Sequence, residues 1–285
     1  MNKKYKFLDV LQDAYKNHYA IPAFDFFGIH DAKAMMDAAA EMKTPVIMMS
    51  ISFNHFTPKQ FNAFIEAYAA DLDIPVFTHI DHSRSVDLCK QAIDAGFDSV
   101  MIDASADPLE ENIKKTLEVV QYAHARGVAV ESEMGHIKNG QISLEGGYAD
   151  RENFLVQTKD AVELVQRTNV DLLAVGLGNQ HGVYVEEPKI HFDRLEEVNN
   201  ALNLPLVMHG GSGLPKDMVQ QSVKGGIAKV NVATDFATAY TLALREDLNK
   251  AGDHPFLMRS LDPAMEAGKD MVKAWIEKCM SAGKA

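Results

Sequence analysis

The sequence has few cysteines and no long apolar run. Its two cysteines, Cys89 and Cys279, have no neighbours at the spacing of metal ligands. This excludes a disulfide scaffold and suits a reducing compartment. No stretch approaches about 18 consecutive apolar residues, so we expect no membrane-spanning helix. The basic N-terminal segment leads into apolar residues that polar residues interrupt, so we also expect no signal peptide and a cytoplasmic protein.

Positive charge is also scarce. The chain has 28 Lys and Arg residues against 40 Asp and Glu residues, a formal net charge of -12, and no cluster of basic residues. Because such a chain repels nucleic acid phosphates and anionic lipid headgroups, we expect neither nucleic acid nor a membrane as a partner. A phosphate-binding GxxxxGKS/T loop is absent, and Gly176 and Gly178 lack the third glycine of a dinucleotide fingerprint, so nucleotide binding is not predicted.

Short apolar runs rich in β-branched residues recur along the chain and alternate with patterns typical of amphipathic helices. Strands that are apolar throughout and alternate with helices indicate a parallel sheet covered by those helices. Eight such units favour a (β/α)8 TIM barrel, and the absence of linkers and repeats predicts a single domain, 1–285. The predicted strands are 20–24, 45–51, 75–80, 99–102, 128–130, 172–175, 206–208 and 229–232, and a final helix is predicted over 263–280.

Polar side chains follow most of these strands, at the end of a barrel where its chemistry is found. Three of them are histidines: His82, His181 and His209 follow the third, sixth and seventh predicted strands. Three imidazoles that leave one coordination position open make a catalytic zinc site, whereas carboxylates and water alone would favour Mg2+ or Mn2+. The sequence therefore predicts one catalytic Zn2+ ion.

A carboxylate, Asp81, immediately precedes the first of these histidines. Strand alternation would place Asp81 and His82 on opposite faces, so we expect the backbone to bend there. An ionised carboxylate beside a dication could exchange a proton with a substrate hydroxyl. The alternative is that Asp81 orients a histidine from behind.

Two segments after the last two strands offer hydrogen-bond donors to an anion. The run 209–213 contains three glycines and Ser212, and the run 231–235 leads into a helix N-terminus. The corresponding loops of barrels often hold a phosphate, although each segment alone could be a tight turn. No lysine follows a strand, and Lys229 is predicted to open the eighth strand at the bottom of the barrel, which disfavours a Schiff-base mechanism.

These motifs together resemble the class II, zinc-dependent ketose-bisphosphate aldolases of the fructose- and tagatose-bisphosphate type. The matching segments keep the order and spacing of that family over nearly the whole chain: YAIPAF (19–24), THIDH (78–82), SVMIDAS (99–105), ESEMG (131–135), GNQHGVY (178–184), LVMHGGSG (206–213), KVNVATD (229–235) and SAGKA (281–285). The resemblance implies a carbon-carbon lyase that reversibly cleaves a ketose phosphate to dihydroxyacetone phosphate and an aldehyde. It also implies a homodimer or homotetramer, and it leaves open a monovalent cation as a second cofactor.

The same resemblance assigns roles to individual residues. It implies that His82, His181 and His209 bind the zinc ion. It further implies that Asp81 handles the proton of the C4 oxygen and that Asn231 holds the enediolate. Two carboxylates, Glu133 and Asp103, fall near an alternative metal position of the family. Four residues match its cradle for the C1 phosphate: Gly182, Gly211, Ser212 and Thr234.

The sequence departs from this family where its bisphosphate members contact the distal phosphate. The family's asparagine after the first strand is Asp25 here, an anion that repels a phosphate. The serine near the end of the second strand has only near matches, Ser50 among them, and the Asp-Pro-Arg triplet is replaced at 253–255, with Arg259 nearby. We therefore expect a ketose 1-phosphate with an unphosphorylated distal end, where Asp25 binds a hydroxyl or an amine. The alternative is an ordinary fructose- or tagatose-1,6-bisphosphate aldolase in which Arg259 substitutes for the triplet.

The segment 135–157 after the fifth strand is predicted to be an active-site lid. It lacks the family's glycine-glycine-acid-acid motif, and Glu145 is the residue predicted to handle the C1 proton.

Two other classes of protein remain as alternatives. A metal-dependent hydrolase would carry His-x-His after the first strand, where this chain has Phe24 and Asp25. A catalytically silent sugar-phosphate-binding protein would lack a metal ligand or the acid, and neither is missing here.

Overall fold

Parallel strands close into a barrel, as the strand pattern predicts. The structure is a computed structural model that describes residues 5–51, 56–139, 155–184 and 186–285. In chain order the strands are β1 (Ile21–Asp25), β2 (Val46–Ser50), β3 (Val76–Ser83), β4 (Ser99–Ile102), β5 (Ala129–Met134), β6 (Lys138–Asn139), β7 (Leu172–Val175), β8 (Gln180–His181), β9 (Leu206–Met208) and β10 (Ile227–Val232). All except β6 and β8 form the barrel, and β10 pairs with β1 to close it. This confirms the (β/α)8 TIM barrel and its eight predicted strands.

Helices connect the barrel strands and cover the outside of the barrel. They are α1 (Phe7–Lys16), α2 (Ile29–Glu41), α3 (Pro58–Ala69), α4 (Val86–Asp94), α5 (Leu109–His124), α6 (Thr158–Thr168), α7 (Phe192–Leu202), α8 (Lys216–Lys224), α9 (Thr234–Lys250) and α10 (Leu257–Lys278). Their buried residues recur three and four positions apart, which is the stripe that packs on the strands. Within the described ranges, no helix combines the length and the apolar character needed to cross a membrane.

Two helical features differ from the sequence-based expectation. The extent of the helix expected after the run 231–235, here α9, was not predicted, because Phe236 is its one buried residue and it therefore lacks an apolar stripe. The predicted start of the last helix at residue 263 was wrong, since α10 begins at Leu257 and Pro263 lies inside it. Proline has no N–H to donate to the carbonyl of Arg259, but this loss falls within the first two turns and the helix continues.

The short strands β6 and β8 were also missed. They pair in parallel, with Asn139 opposite His181, outside the barrel sheet. Two-residue strands carry no periodicity that a sequence pattern could reveal. Their pairing fixes the segment that carries His181 beside the chain that leaves β5.

The bottom of the barrel is closed by α1, the helix that precedes β1. Phe7 and Leu11 are buried against residues from the lower layer of the barrel interior. The Phe7 ring meets the Phe77 ring edge-on, with centroids 5.3 Å apart. This apolar layer seals the barrel from below, so the polar layer above it opens only at the carboxyl ends of the strands.

We expect Phe7→Ala to lower the free energy of unfolding by about 3–5 kcal/mol, because it removes a buried aromatic ring and leaves a cavity. Leu8, the next residue, is 37% exposed and provides the matched control. Leu8→Ala should change the free energy by no more than about 0.5 kcal/mol. Urea unfolding followed by circular dichroism measures both, and equal effects of the two variants would contradict this account of α1.

Candidate active site

A pocket opens at the carboxyl ends of the barrel strands. It is lined by Asp25, Asp81, His82, His181, Gly182, His209, Gly210, Ser212, Asn231, Ala233 and Thr234. These residues come from five separate stretches of the chain, and most were singled out from the sequence. Parallel strands that end at the same rim bring them together.

The backbone bends at the end of β3, as the sequence predicts. His82 adopts a positive φ of 48°, which is uncommon for a residue other than glycine. The register between β3 and β4 also shifts between Ile80 and Ser83. The bend turns His82 out of the strand alternation, so that Asp81 and His82 both line the pocket.

The three predicted histidines converge. His82 Nε2 lies 2.8 Å from His209 Nδ1, and the His181 ring centroid lies 4.8 Å from that of His82. One ring nitrogen from each histidine falls within 4.8 Å of the others, a grouping that could hold a metal ion. Imidazole nitrogens are ligands that suit zinc and other borderline divalent metals, so the donor set fits the expected ion.

Carboxylates hold two of these rings from behind. The Nδ1–H of His82 donates to Asp103 Oδ2 over 3.0 Å, and the Nε2–H of His209 donates to Glu131 Oε1 over 2.7 Å. Such bonds fix the tautomer and the orientation of a metal-binding imidazole. Asp103 thus contacts a histidine of the cluster rather than standing apart from it, and Glu131 takes a role that the sequence did not assign.

Glu133, which the resemblance placed near an alternative metal position, lies against the same cluster. Its Oε2 is 3.8 Å from His209 Nδ1. Together with His82 and Asp103 it forms a second grouping of possible metal ligands. Burial and the neighbouring charge of Asp103 raise the pKa of Glu133 well above 4.5. This buried carboxyl therefore lies beside the histidine cluster and favours its protonated form.

The histidine cluster is electrostatically asymmetric. Burial lowers the pKa of His82, but the charge of Asp81 and the hydrogen bond to Asp103 outweigh burial and hold this pKa well above 6.5. Burial and the charges of His82 and Lys229 hold the pKa of His209 well below 6.5. His82 therefore holds a proton more readily than His209, and its Nε2–H is the donor in the 2.8 Å contact with His209 Nδ1.

Asp81 and Asn231 form a pair beside the histidines. The Asn231 Nδ2 donates to Asp81 Oδ1 over 3.0 Å. The Asn231 Oδ1 is buried and accepts no hydrogen bond from the described residues. A buried amide oxygen of this kind is suited to a polar ligand in the pocket.

The predicted phosphate cradle is built from the loop after β9 and the start of α9. Ser212 Oγ accepts the Asp235 N–H over 3.0 Å, and the Asp235 carboxylate accepts the Gly213 N–H over 3.2 Å. Trp275 from α10 donates to the same carboxylate over 3.0 Å. Gly182, Ser212 and Thr234 line the pocket. Gly211 lies just behind the lining, where a Cβ would come within 2.9 Å of the Asn231 carbonyl oxygen.

Side chains that the sequence did not reveal tie the histidine segments together. The Tyr184 hydroxyl accepts the Gln180 N–H and donates to the Gly210 carbonyl, each over 3.0 Å. Asn179 donates to the His209 carbonyl over 2.8 Å. A Cβ on Gly210 would lie 2.1 Å from the Gln180 oxygen, so glycine is required at this crossing. Tyrosine and asparagine in loops give no sequence signal for such a role, because the contacts are long-range.

The residues predicted for the distal end of the substrate fall in different places. Asp25 ends β1, is 2% exposed and lines the pocket. Ser50 is buried at the end of β2 and does not belong to the lining, and Arg259 is exposed in the first turn of α10. Glu145 lies outside the described residues.

The expected position of Lys229 was wrong. Lys229 is the third residue of β10, and its fully buried Nζ donates to Glu131 Oε2 over 2.9 Å inside the barrel. The error arose because the predicted strand began at Lys229, whereas β10 already begins at Ile227. Lys229 does not line the pocket, so the structure offers no Schiff-base lysine among the lining residues.

A family model for class-II fructose-bisphosphate aldolases matches residues 5–284. The chain belongs to this class II aldolase family. A fructose-bisphosphate aldolase from Staphylococcus epidermidis is 38% identical over 288 aligned residues, which cover 97% of each chain. A 6-phospho-5-dehydro-2-deoxy-D-gluconate aldolase from Bacillus licheniformis is also 38% identical, over 97% of this chain and 95% of that relative. The crystal structure of the YdjI aldolase from Escherichia coli K12 matches with a TM-score of 0.86 and 33% identity, over 98% of both chains.

Membership of the class II aldolases confirms the predicted family and shows that the protein is a lyase. It removes the metal-dependent hydrolase and the silent binding protein as alternatives.

For this class II aldolase, we expect metal affinity to fall with falling pH, because an ion must displace the proton of His82. The pKa of His82 is raised well above 6.5, so the loss should be about tenfold per pH unit around neutrality and should cease only above that pKa. Competition with a chromophoric chelator between about pH 6 and about pH 9 measures this dependence.

Asp103→Asn provides the control, since it removes one of the groups that raise the pKa of His82. Its metal affinity should level off at a lower pH than that of the wild type. Affinity that is independent of pH across this range in the wild type would rule out a protonated His82.

Proposed function

We propose that this aldolase uses Zn2+ at His82, His181 and His209 to cleave a ketose 1-phosphate reversibly into dihydroxyacetone phosphate and an aldehyde without a phosphate. Support for the reaction comes from the histidine cluster with Asp81 beside it. The substrate part rests on one observation, the buried carboxylate of Asp25 in the pocket.

The chain supplies the parts that a retro-aldol cleavage needs. When bound, the zinc ion would polarise the substrate carbonyl and stabilise the negative charge that develops on its oxygen. Asp81 is the carboxylate that accepts the proton of the C4 hydroxyl as the C3–C4 bond breaks, and it returns this proton in the condensation direction. The Asn231 side chain donates to Asp81 Oδ1 over 3.0 Å and so helps to fix the orientation of this carboxylate.

The phosphate of the substrate would bind at the loop after β9 and the start of α9. Ser212, Gly182 and Thr234 line the pocket, and Thr234 is the first residue of α9. Free N–H groups at a helix N-terminus favour an anion. With the phosphate anchored there, the C1 end of the ketose is fixed and the bond to be broken lies toward Asp81.

The distal end of the substrate would then lie near Asp25. No lysine or arginine occurs among the described residues that line the pocket. A second phosphate would meet the buried carboxylate of Asp25, and two negative charges repel strongly at low dielectric. The family does not require two phosphates, because the Bacillus licheniformis relative is named for a compound with a single phosphate.

Asp81→Asn tests the assignment of the proton acceptor. We expect kcat to fall about 10^2- to 10^4-fold, since an amide cannot accept the hydroxyl proton. Because the Asp81 charge also raises the pKa of His82, zinc affinity is measured alongside and kcat is compared at saturating zinc. Retention of more than about a tenth of kcat would remove Asp81 from this role.

A substrate panel tests the distal end. Dihydroxyacetone phosphate release is followed with zinc, and with EDTA as a blank, from fructose and tagatose 1-phosphates and from their 1,6-bisphosphates. The wild type should favour the 1-phosphates. A bisphosphate preference of about 100-fold in kcat/KM, equivalent to about 2.7 kcal/mol, would reject the proposed substrate class and favour a bisphosphate aldolase.

Asp25→Asn on the same panel separates charge from shape. We expect the ratio of kcat/KM for bisphosphate over 1-phosphate to rise about tenfold, because one repulsive charge is removed. Asp87→Asn changes the net charge equally at an exposed position in the first turn of α4 and should leave the ratio unchanged. An equal response of both variants would mean that Asp25 has no specific effect on the distal group.

A further inference from the structure

The barrel interior contains an ion pair below the active site. Lys229 Nζ and Glu131 Oε2 are 2.9 Å apart, and both side chains are fully buried. Taking two charges out of water is costly, and apolar side chains of similar volume often replace such pairs without loss of stability. The pair therefore invites an explanation beyond folding.

The carboxylate of Glu131 has a separate partner on each oxygen. Oε1 accepts the His209 Nε2–H over 2.7 Å, while Oε2 accepts the Lys229 ammonium and lies 3.6 Å from His79 Nε2. His79 is held on its other side by Ser99, with Nδ1 2.8 Å from Oγ. Lys229 thus keeps Oε2 directed away from His209 and leaves Oε1 for the histidine.

Lys229 also supplies the positive charge that the interior carboxylates require. His79, Asp81 and Glu131 form a buried group of possible metal ligands below the histidine cluster. Burial and the charge of Lys229 hold the pKa of His79 well below 6.5, so its ring adds no positive charge. The ammonium of Lys229 places a positive charge against the Glu131 carboxylate of this group.

We infer that Lys229 is a positioning residue of the metal site: its ammonium holds the Glu131 carboxylate, and Glu131 in turn fixes the ring that presents His209 Nδ1. This inference rests on the proposed metal site. The chain of contacts runs across the barrel from β10 through β5 to β9, so each link comes from a different strand. Lys229 does not line the pocket and touches no substrate.

The experiment compares Lys229→Met, Glu131→Gln and the double variant in the full-length protein. Zinc affinity is measured by competition with a chromophoric chelator, and coordination geometry by the visible absorption of the Co2+-substituted protein. Lys90→Met is the matched control, because Lys90 forms a 2.7 Å ion pair with Glu118 on the barrel exterior. Thermal unfolding in EDTA reports the stability of each metal-free variant.

Lys229→Met should weaken zinc binding about tenfold and shift the Co2+ absorption bands, because Glu131 loses the partner that holds it. The double variant should recover to within about threefold of the wild type, since a neutral glutamine oxygen can accept the His209 N–H with no charge left unpaired. Lys90→Met should leave both readouts unchanged.

Unchanged zinc affinity and Co2+ absorption in Lys229→Met would overturn the inference. It would also be overturned if the double variant bound zinc no more tightly than Lys229→Met, because Lys229 would then affect the site through packing alone. If Lys229→Met does not fold, the double variant must bind zinc more tightly than Glu131→Gln, and equal binding overturns the inference. A wild type that binds no zinc would instead remove the proposed metal site, and this inference with it.

Discussion

The site depends on the contact between His82 and His209, two rings that end different strands and point their nitrogens at each other. Neither ring could keep this orientation alone, because two imidazoles 2.8 Å apart without a shared proton or ion would repel. Asp103 holds one ring and Glu131 holds the other. The geometry of the pocket is therefore set by buried carboxylates that are not among its lining residues.

The barrel interior offsets the desolvation cost of these buried carboxylates. Its lower interior is apolar and sealed by α1, while its upper interior places Glu131, His79 and Lys229 within reach of one another. Each charged atom there has a partner of opposite sign or a hydrogen bond, so the desolvation of one group is offset by the next. Strands in a closed sheet cannot slide independently, so the position of Glu131 on β5 is fixed relative to His209 at the end of β9.

Sequence patterns located the strands and the residues at their ends, because a parallel strand buried on both faces is a short apolar run and its end is marked by the first polar residue. The bend at His82 could also be predicted, since alternation alone could not bring Asp81 and His82 to one pocket. The side chains that hydrogen-bond to the histidines could not be predicted from the sequence. Glu131 was visible at a strand end, but its bond to His209 joins residues 78 positions apart, and no local pattern encodes that distance. Lys229 was misplaced because β10 begins at Ile227 rather than at Lys229, and its ion pair with Glu131 is again a contact between distant parts of the chain.

The pocket combines groups that favour an anion with one that disfavours it. The N-terminus of α9 and the Ser212 hydroxyl favour an anion. Asp25, buried at the end of β1, disfavours one. Strands β1 and β10 are neighbours, with Phe24 opposite Val232, so the Asp25 carboxylate and the start of α9 follow adjacent strands. In the proposed substrate a single phosphate held by α9 and Ser212 leaves the Asp25 carboxylate for an uncharged or cationic group, whereas a second phosphate would meet that carboxylate.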